Sequence, residues 1–205
     1  GCRDATNLSW KIGMKHNYGL DNDLLDSYQV ERKPHAKFIV ENSLGIGLLM
    51  EAYAHTPNVE DVPSELVTKA YGSFVIPPLR EGIFFNGKSD PTTMSGELFP
   101  QPVKYVDDQV AERCDYLLGD NFALVSRNAI DLTEEDSSFL AKIGTNIVVL
   151  DKDMVDSNIW ISSMIAEDKV YIVRPDKYVF GSTTEDISLT KLIQDLKSRI
   201  GFHNQ

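Results

Sequence analysis

Cysteine is scarce: two in 205 residues, Cys2 and Cys114, far apart and in no Cys-x-x-Cys pair. A disulfide framework is therefore not expected, and the usage fits a reducing, cytoplasmic compartment. Positive charge is also short, with 20 Lys and Arg against 31 Asp and Glu and a net charge of −11. A surface this acidic is repelled by phosphate backbones and anionic lipid, which argues against nucleic-acid and membrane-surface partners. The longest apolar stretch, Leu44 to Ala54, contains Glu51 and is too short to span a bilayer. The four histidines, His16, His35, His55 and His203, have no metal-ligand spacing and read as surface residues. There is no G-x-G-x-x-G turn for a dinucleotide pyrophosphate; Gly13, Gly45 and Gly47 stand alone and read as helix-packing positions.

What is present suffices for a core, since 42% of the residues are apolar. The length allows one domain or two small ones. Ala5, Leu8 and Ile12 recur at helical spacing with Trp10 beside them, which predicts an opening amphipathic helix. Such a helix needs a surface to cover, so the expectation is a C-terminal piece of something longer. A second helix is expected from Asp23, its cap, through Leu24, Leu25, Tyr28 and Arg32. Pro34 predicts a kink, with a further helix carrying Phe38, Ile39, Leu44, Leu48 and Leu49. The adjacent Glu31 and Arg32 allow a solvated charge pair of under about 1 kcal/mol. Thr56 to Ser95 is rich in breakers and predicts an irregular connector, with a short helix capped by Ser64.

From Phe122 the pattern alternates. Phe122 to Ser126 predicts a strand. Thr133 caps a helix with an acidic first turn that ends at Gly144. Asn146 to Leu150 is a continuous apolar run, as in strands buried on both faces. Lys169 to Arg174 and Tyr178 to Gly181 pair as a hairpin around Pro175-Asp176. A last helix places Leu189, Leu192, Ile193, Leu196 and Ile200 on one face. This order of strands and helices is that of an α/β, thioredoxin-like domain, with a small mixed sheet and flanking helices. Thiol chemistry is not expected of it. Where a reactive cysteine would follow the first strand, the chain reads Arg127-Asn128-Ala129-Ile130-Asp131.

Three stretches carry a resemblance: Arg3-Asp4-Ala5-x-Asn7-Leu8-x-Trp10-Lys11, then Leu25-x-Ser27-Tyr28-x-x-Glu31-Arg32-x-Pro34-x-Ala36, then Gly96-x-x-x-Pro100-Gln101-Pro102. Together they resemble the FAD-dependent aromatic-ring hydroxylases of the phenol and 3-(3-hydroxyphenyl)propionate hydroxylase type. The resemblance implies a C-terminal portion of a monooxygenase that uses FAD, NAD(P)H and O2 to hydroxylate a small aromatic substrate. It also implies three segments: 1–54, a helical remnant of the FAD-binding domain; 55–95, a connector; 96–205, the thioredoxin-like domain. Gly1, Cys2 and Arg3 would lie nearest the flavin at the first helix's N-terminus, without holding FAD alone. Arg32 would pack at the base of the flavin domain, and Tyr71, Tyr105 and Tyr116 are candidates to approach a phenolic substrate, though core or interface roles suit them better. No catalytic residue and no metal ligand is assigned. The family's Arg-Pro-Asp-Gly hairpin has Lys177 in place of Gly. The alternative expectation is a redox-inactive interaction module that forms a homodimer or higher oligomer.

Overall fold

The computed structural model describes residues 1–20, 22–56, 58–72, 76–107, 109–156 and 159–202. It opens with two helices, α1 (Cys2–Tyr18) and α2 (Asp23–His55). α1 stops where Gly19 turns left-handed at φ 64° and donates its N–H to Lys15 O. Its covered face is Asn7, Trp10, Lys11 and Met14, a helical i, i+3, i+4, i+7 stripe. The expected face of Ala5, Leu8 and Ile12 is the wrong one: Ala5 is exposed and Ile12 is 52% exposed. Scoring apolar residues alone missed a stripe that is half polar.

α2 runs unbroken through Pro34, so the expected division into two helices does not occur. Asn22 is its N-cap residue, and Asp23 is already helical. Its first turns bury Leu24, Ser27, Glu31, Arg32 and His35, whereas Val40, Leu44 and Met50 further along are exposed. After α3 (Ser64–Gly72) the chain is irregular but not loose. Leu79 and Phe84 cluster with Tyr178, and Ile83 and Phe85 enter the main core.

The second half holds a hairpin, β1 (Val103–Val106) and β2 (Gln109–Arg113), which the sequence pattern did not reveal, then α4 (Cys114–Leu118). A four-stranded sheet follows from β3 (Ala123–Ser126), β4 (Asn146–Val149), β5 (Val170–Val173) and β6 (Val179–Ser182). The spatial order is β4-β3-β5-β6; β3 and β4 are parallel, and β5 is antiparallel to both neighbours. α5 (Glu134–Lys142) makes the crossover, with Thr133 Oγ1 accepting from Asp136 N as expected of its cap. α6 (Lys152–Asp156), α7 (Ile159–Met164) and α8 (Leu189–Arg199) complete the chain.

Two apolar clusters lie against the sheet. One joins Phe122, Leu124, Ile172 and Phe180 to α5, α8 and, from the opening helices, Trp10, Met14 and Leu24. The other joins Val125, Val148, Tyr171 and Val179 to Phe99, Leu118 and Met154. β4 is not buried on both faces as expected: Val148 is covered, but Ile147 and Val149 are half exposed, because β4 is an edge strand. The opposite edge is sealed by the Gly96 stretch: Gly96 N donates to Val179 O, Val179 N to Glu97 O, and Phe99 N to Lys177 O.

Candidate functional site

Beneath α1 sits a charged cluster withdrawn from water. Arg174 closes β5 and is 1% exposed. Its guanidinium donates from Nη1 to Glu31 Oε1 at 2.9 Å and from Nη2 to Glu31 Oε2 at 2.8 Å, a bidentate fork. Nε donates to Asp176 Oδ1 and Nη2 to Asp176 Oδ2, at 3.0 and 2.6 Å. The remaining Nη1 proton goes to Ile83 O at 3.1 Å. All five guanidinium donors are thus used. The plane lies between aromatic faces, 5.1 Å from the Trp10 ring centroid and 4.8 Å from that of Phe84.

Glu31 is as fully engaged. Oε1 also accepts from Ile83 N at 2.8 Å, and Oε2 accepts from Asn7 Nδ2 at 2.7 Å. Lys11 Nζ forms an ion pair with Oε2 at 2.9 Å. Asn7 Nδ2 bridges onward to Asp176 Oδ2 at 2.7 Å. Two cations and two carboxylates make the cluster neutral, the condition under which buried charge is tolerable. Gly82, at φ 145°, presses on the Glu31 carboxylate so closely that a Cβ there would collide with it.

Electrostatics follow the geometry. Burial opposes ionisation of Glu31, but the charge and hydrogen bonds of Arg174, with Lys11 and Asn7, outweigh it and hold the pKa at about 2. Burial pulls Lys11 down to about 8; Glu31 partly opposes this, and Arg174 adds to it. Burial also disfavours the Arg174 charge, yet Asp176 and Glu31 raise its pKa above the ordinary value. The guanidinium protons are all used and both carboxylates are held by cations, so the arrangement is a lock between α1, α2 and the β5–β6 turn, although Asn7 Oδ1 and Lys11 Nζ have no hydrogen-bond partner among the described residues.

The surroundings correct several expectations. Glu31 and Arg32 are 2% and 5% exposed, and they do not form a solvated pair. Arg32 Nε instead donates to Asp4 Oδ1 at 2.9 Å. His35 is buried rather than superficial, with both ring nitrogens unpartnered; burial, then Arg32 and Arg3, lower its pKa. His16 and His55 are exposed, and His203 and the side chain of Tyr71 lie outside the described residues. Tyr105 and Tyr116 are 57% and 79% exposed. Cys114 is buried, and burial pushes its thiol up to about 12, so it is unreactive; Cys2 is a free, exposed thiol. Lys177 takes φ 68° at the turn position where Gly is favoured, and its Nζ donates to Gly119 O.

Gly1, Cys2 and Arg3 are all exposed at the α1 N-terminus. Arg3 lines a cleft of about 310 Å³ with Thr6, Phe99, Asp176, Lys177 and Tyr178. Among the described residues no group of His, Cys, Asp or Glu could hold a metal ion, and no helix is long and apolar enough to cross a membrane.

The chain is similar to several known proteins. Residues 96–199 match the family model of the HcaD C-terminal domain. A probable NADH-specific resorcinol 4-hydroxylase from Rhodococcus jostii is 27% identical, over 98% of this chain and 39% of that protein. A 3-(3-hydroxy-phenyl)propionate/3-hydroxycinnamic acid hydroxylase from Klebsiella pneumoniae is 32% identical, over 61% of this chain and 24% of that protein. The chain therefore matches about two fifths or less of the length of these curated relatives. Among solved structures, OxyS anhydrotetracycline hydroxylase from Streptomyces rimosus superposes with a TM-score of 0.65 at 20% identity, over 98% of this chain and 40% of its own. Aklavinone-11 hydroxylase, solved with FAD and aklavinone, gives 0.65 at 21% identity, over 98% and 39%. These likenesses establish a shared fold.

Proposed function

The chain belongs to the HcaD C-terminal domain family, and from that premise we propose that it is the C-terminal part of a flavoprotein monooxygenase acting on a phenolic or related small aromatic substrate. The whole enzyme would use FAD, NADH or NADPH, and O2, inserting one oxygen atom into the ring. The observation that carries the reading is the buried cluster. Asn7 and Lys11 come from the first motif, Glu31 from the second, and Arg174 and Asp176 from the hairpin; all five meet at one point. Stretches that resemble the hydroxylases at separate places in the chain thus serve one purpose in space.

We further propose that 1–54 is the helical edge of the FAD-binding domain, 55–95 a connector, and 96–205 a thioredoxin-like domain without a dithiol. Support for the last comes from the order β6-β5-β3-β4 with β5 reversed. FAD, when bound, supplies the redox chemistry. The part of this chain nearest it would be Gly1, Cys2 and Arg3. They are exposed at a helix N-terminus, where free N–H groups and the helix dipole favour negative charge. That placement fits one edge of the group and no more, since pyrophosphate and ribityl motifs are absent. Arg3 would orient an anionic moiety across the adjacent cleft, and the lock would hold α1 in place.

The test is NAD(P)H oxidation by the full-length gene product over a panel of phenols under 18O2. Substrate-stimulated oxidation with one labelled oxygen in the product is expected; a protein that carries no flavin would refute the reading. A second role, as a homo-oligomerisation module, is favoured by the uncovered β4 edge.

A further inference from the structure

His35 lies one turn beyond Glu31 on α2 and takes no part in the lock. It is 4% exposed, and neither Nδ1 nor Nε2 has a hydrogen-bond partner among the described residues. A neutral imidazole packed dry leaves two hydrogen bonds unmade. An imidazolium in the same seat adds a buried charge with nothing to meet it. The neighbours sharpen the contrast. Arg32 on α2 and Arg3 on α1 oppose a further cation, and Asp4, which favours one, acts more weakly than either. Its carboxylate is already held by Arg32 Nε and the Gly1 ammonium. Glu31 is committed to Arg174, Lys11, Asn7 and Ile83 N. On β6, Tyr178 shares the field of both arginines and is a neutral phenol, its pKa raised first by burial.

Beside the ring is a cavity of about 240 Å³ between α2 and the 77–80 stretch. Pro34, Phe38 and Pro78 give it apolar walls, while Lys37, Glu41 and Arg80, all exposed, bring charge within reach of water. Glu41 is held only by a loose ion pair with Lys37, at 3.7 Å. We propose that His35 is an acid-operated latch: neutral, it fills the seat between α1, α2 and the 77–80 stretch; protonated by solvent, it swings into the adjoining cavity, where water and Glu41 receive its charge, and the stretch loosens. That stretch carries Leu79, which packs on Phe84 and Tyr178 and donates its N–H to Gly96 O. Loosening it frees the Gly96 segment from one of its anchors. The inference stands apart from the flavin reading.

Burial, then Arg32 and Arg3, hold the seated ring below its ordinary 6.5. The closed form is therefore fully favoured above pH 6.5 and loses ground as pH falls from there. This interval lies between those of Glu31 and Lys11. The test is native-state hydrogen exchange of the 205-residue chain at pH 7 and 5.5, corrected for intrinsic exchange rates. The opening constants of the Leu79 and Ile83 amides should rise several-fold at pH 5.5, with a ceiling of about eightfold set by an open-state pKa of 6.5. Amides of β3, in the middle of the sheet, should not change. His35→Leu removes the two unmade hydrogen bonds along with the titration, so it should fold as well at pH 7 and show no such rise. NMR titration of the His35 ring in the unaltered chain is independent of that variant, and its midpoint should fall below 6.5. A midpoint at or above 6.5, equal opening constants at the two pH values, or the same rise in His35→Leu would overturn the proposal.

Discussion

Glu31 sets the energetics at the scale of single residues. It accepts from Arg174, Asn7 and Ile83 and pairs with Lys11, all out of contact with water. Removing one partner of a buried ion pair leaves the others uncompensated, so Glu31→Gln should cost about 3–5 kcal/mol in urea unfolding. The same residue sets an acid limit. Its folded pKa of about 2 lies below the ordinary 4.5. Its contribution is therefore complete above pH 4.5 and is lost as pH falls from there toward 2. Unfolding free energies measured at steps between pH 6 and 2.5 should fall most steeply below 4.5, and the fall should be shallower in Glu31→Gln. Lys11 has a slope of the same sign in a more alkaline window. Its pKa is depressed from 10.5 to about 8, so the cost of keeping it charged is relieved as pH rises through that interval. These residues were legible as motif letters but not as a cluster. Asn7 and Lys11 are polar, and a search for apolar stripes passes over them; only Arg174, 143 positions from Glu31 in the chain, makes their burial sensible.

At the scale of elements, local signals did well where the local chemistry decides. Thr133 caps α5, and Gly144 follows it at φ 66°, both as its sequence implies. Thr133→Ala should cost about 1 kcal/mol, read as a lower melting temperature with unchanged circular dichroism. Signals failed where a neighbour decides. Pro34 sits inside an uninterrupted α2, and the apolar run of β4 says nothing about which strand lies at an edge. Gly82 gave no signal either, being one glycine among 13. Its positive φ and its contact with Glu31 predict that Gly82→Ala loses stability twice over, through backbone strain and through displacement of the carboxylate. The loss should match or exceed that of Thr133→Ala in the same melt.

At the scale of the whole molecule, the opening helices and the sheet share one core. Trp10 packs edge-on against Phe122 at 5.5 Å, and Met14 and Leu24 join the same cluster. That sharing was hidden in a sequence whose family resemblance suggested three successive segments. It explains how a helix bearing flavin-family motifs is held by a domain far along the chain. On the proposed reading the α1 N-terminus is the part of this chain that would meet a flavin, so fluorescence titration with FAD should show no tight binding. Submicromolar affinity would place a complete flavin site within these 205 residues and contradict the assignment. The account depends most on the lock itself. A double-mutant cycle on Glu31→Gln and Arg174→Gln, followed by urea unfolding, measures it directly. A coupling of at least about 1 kcal/mol is predicted, and additivity within about 0.3 kcal/mol would contradict it.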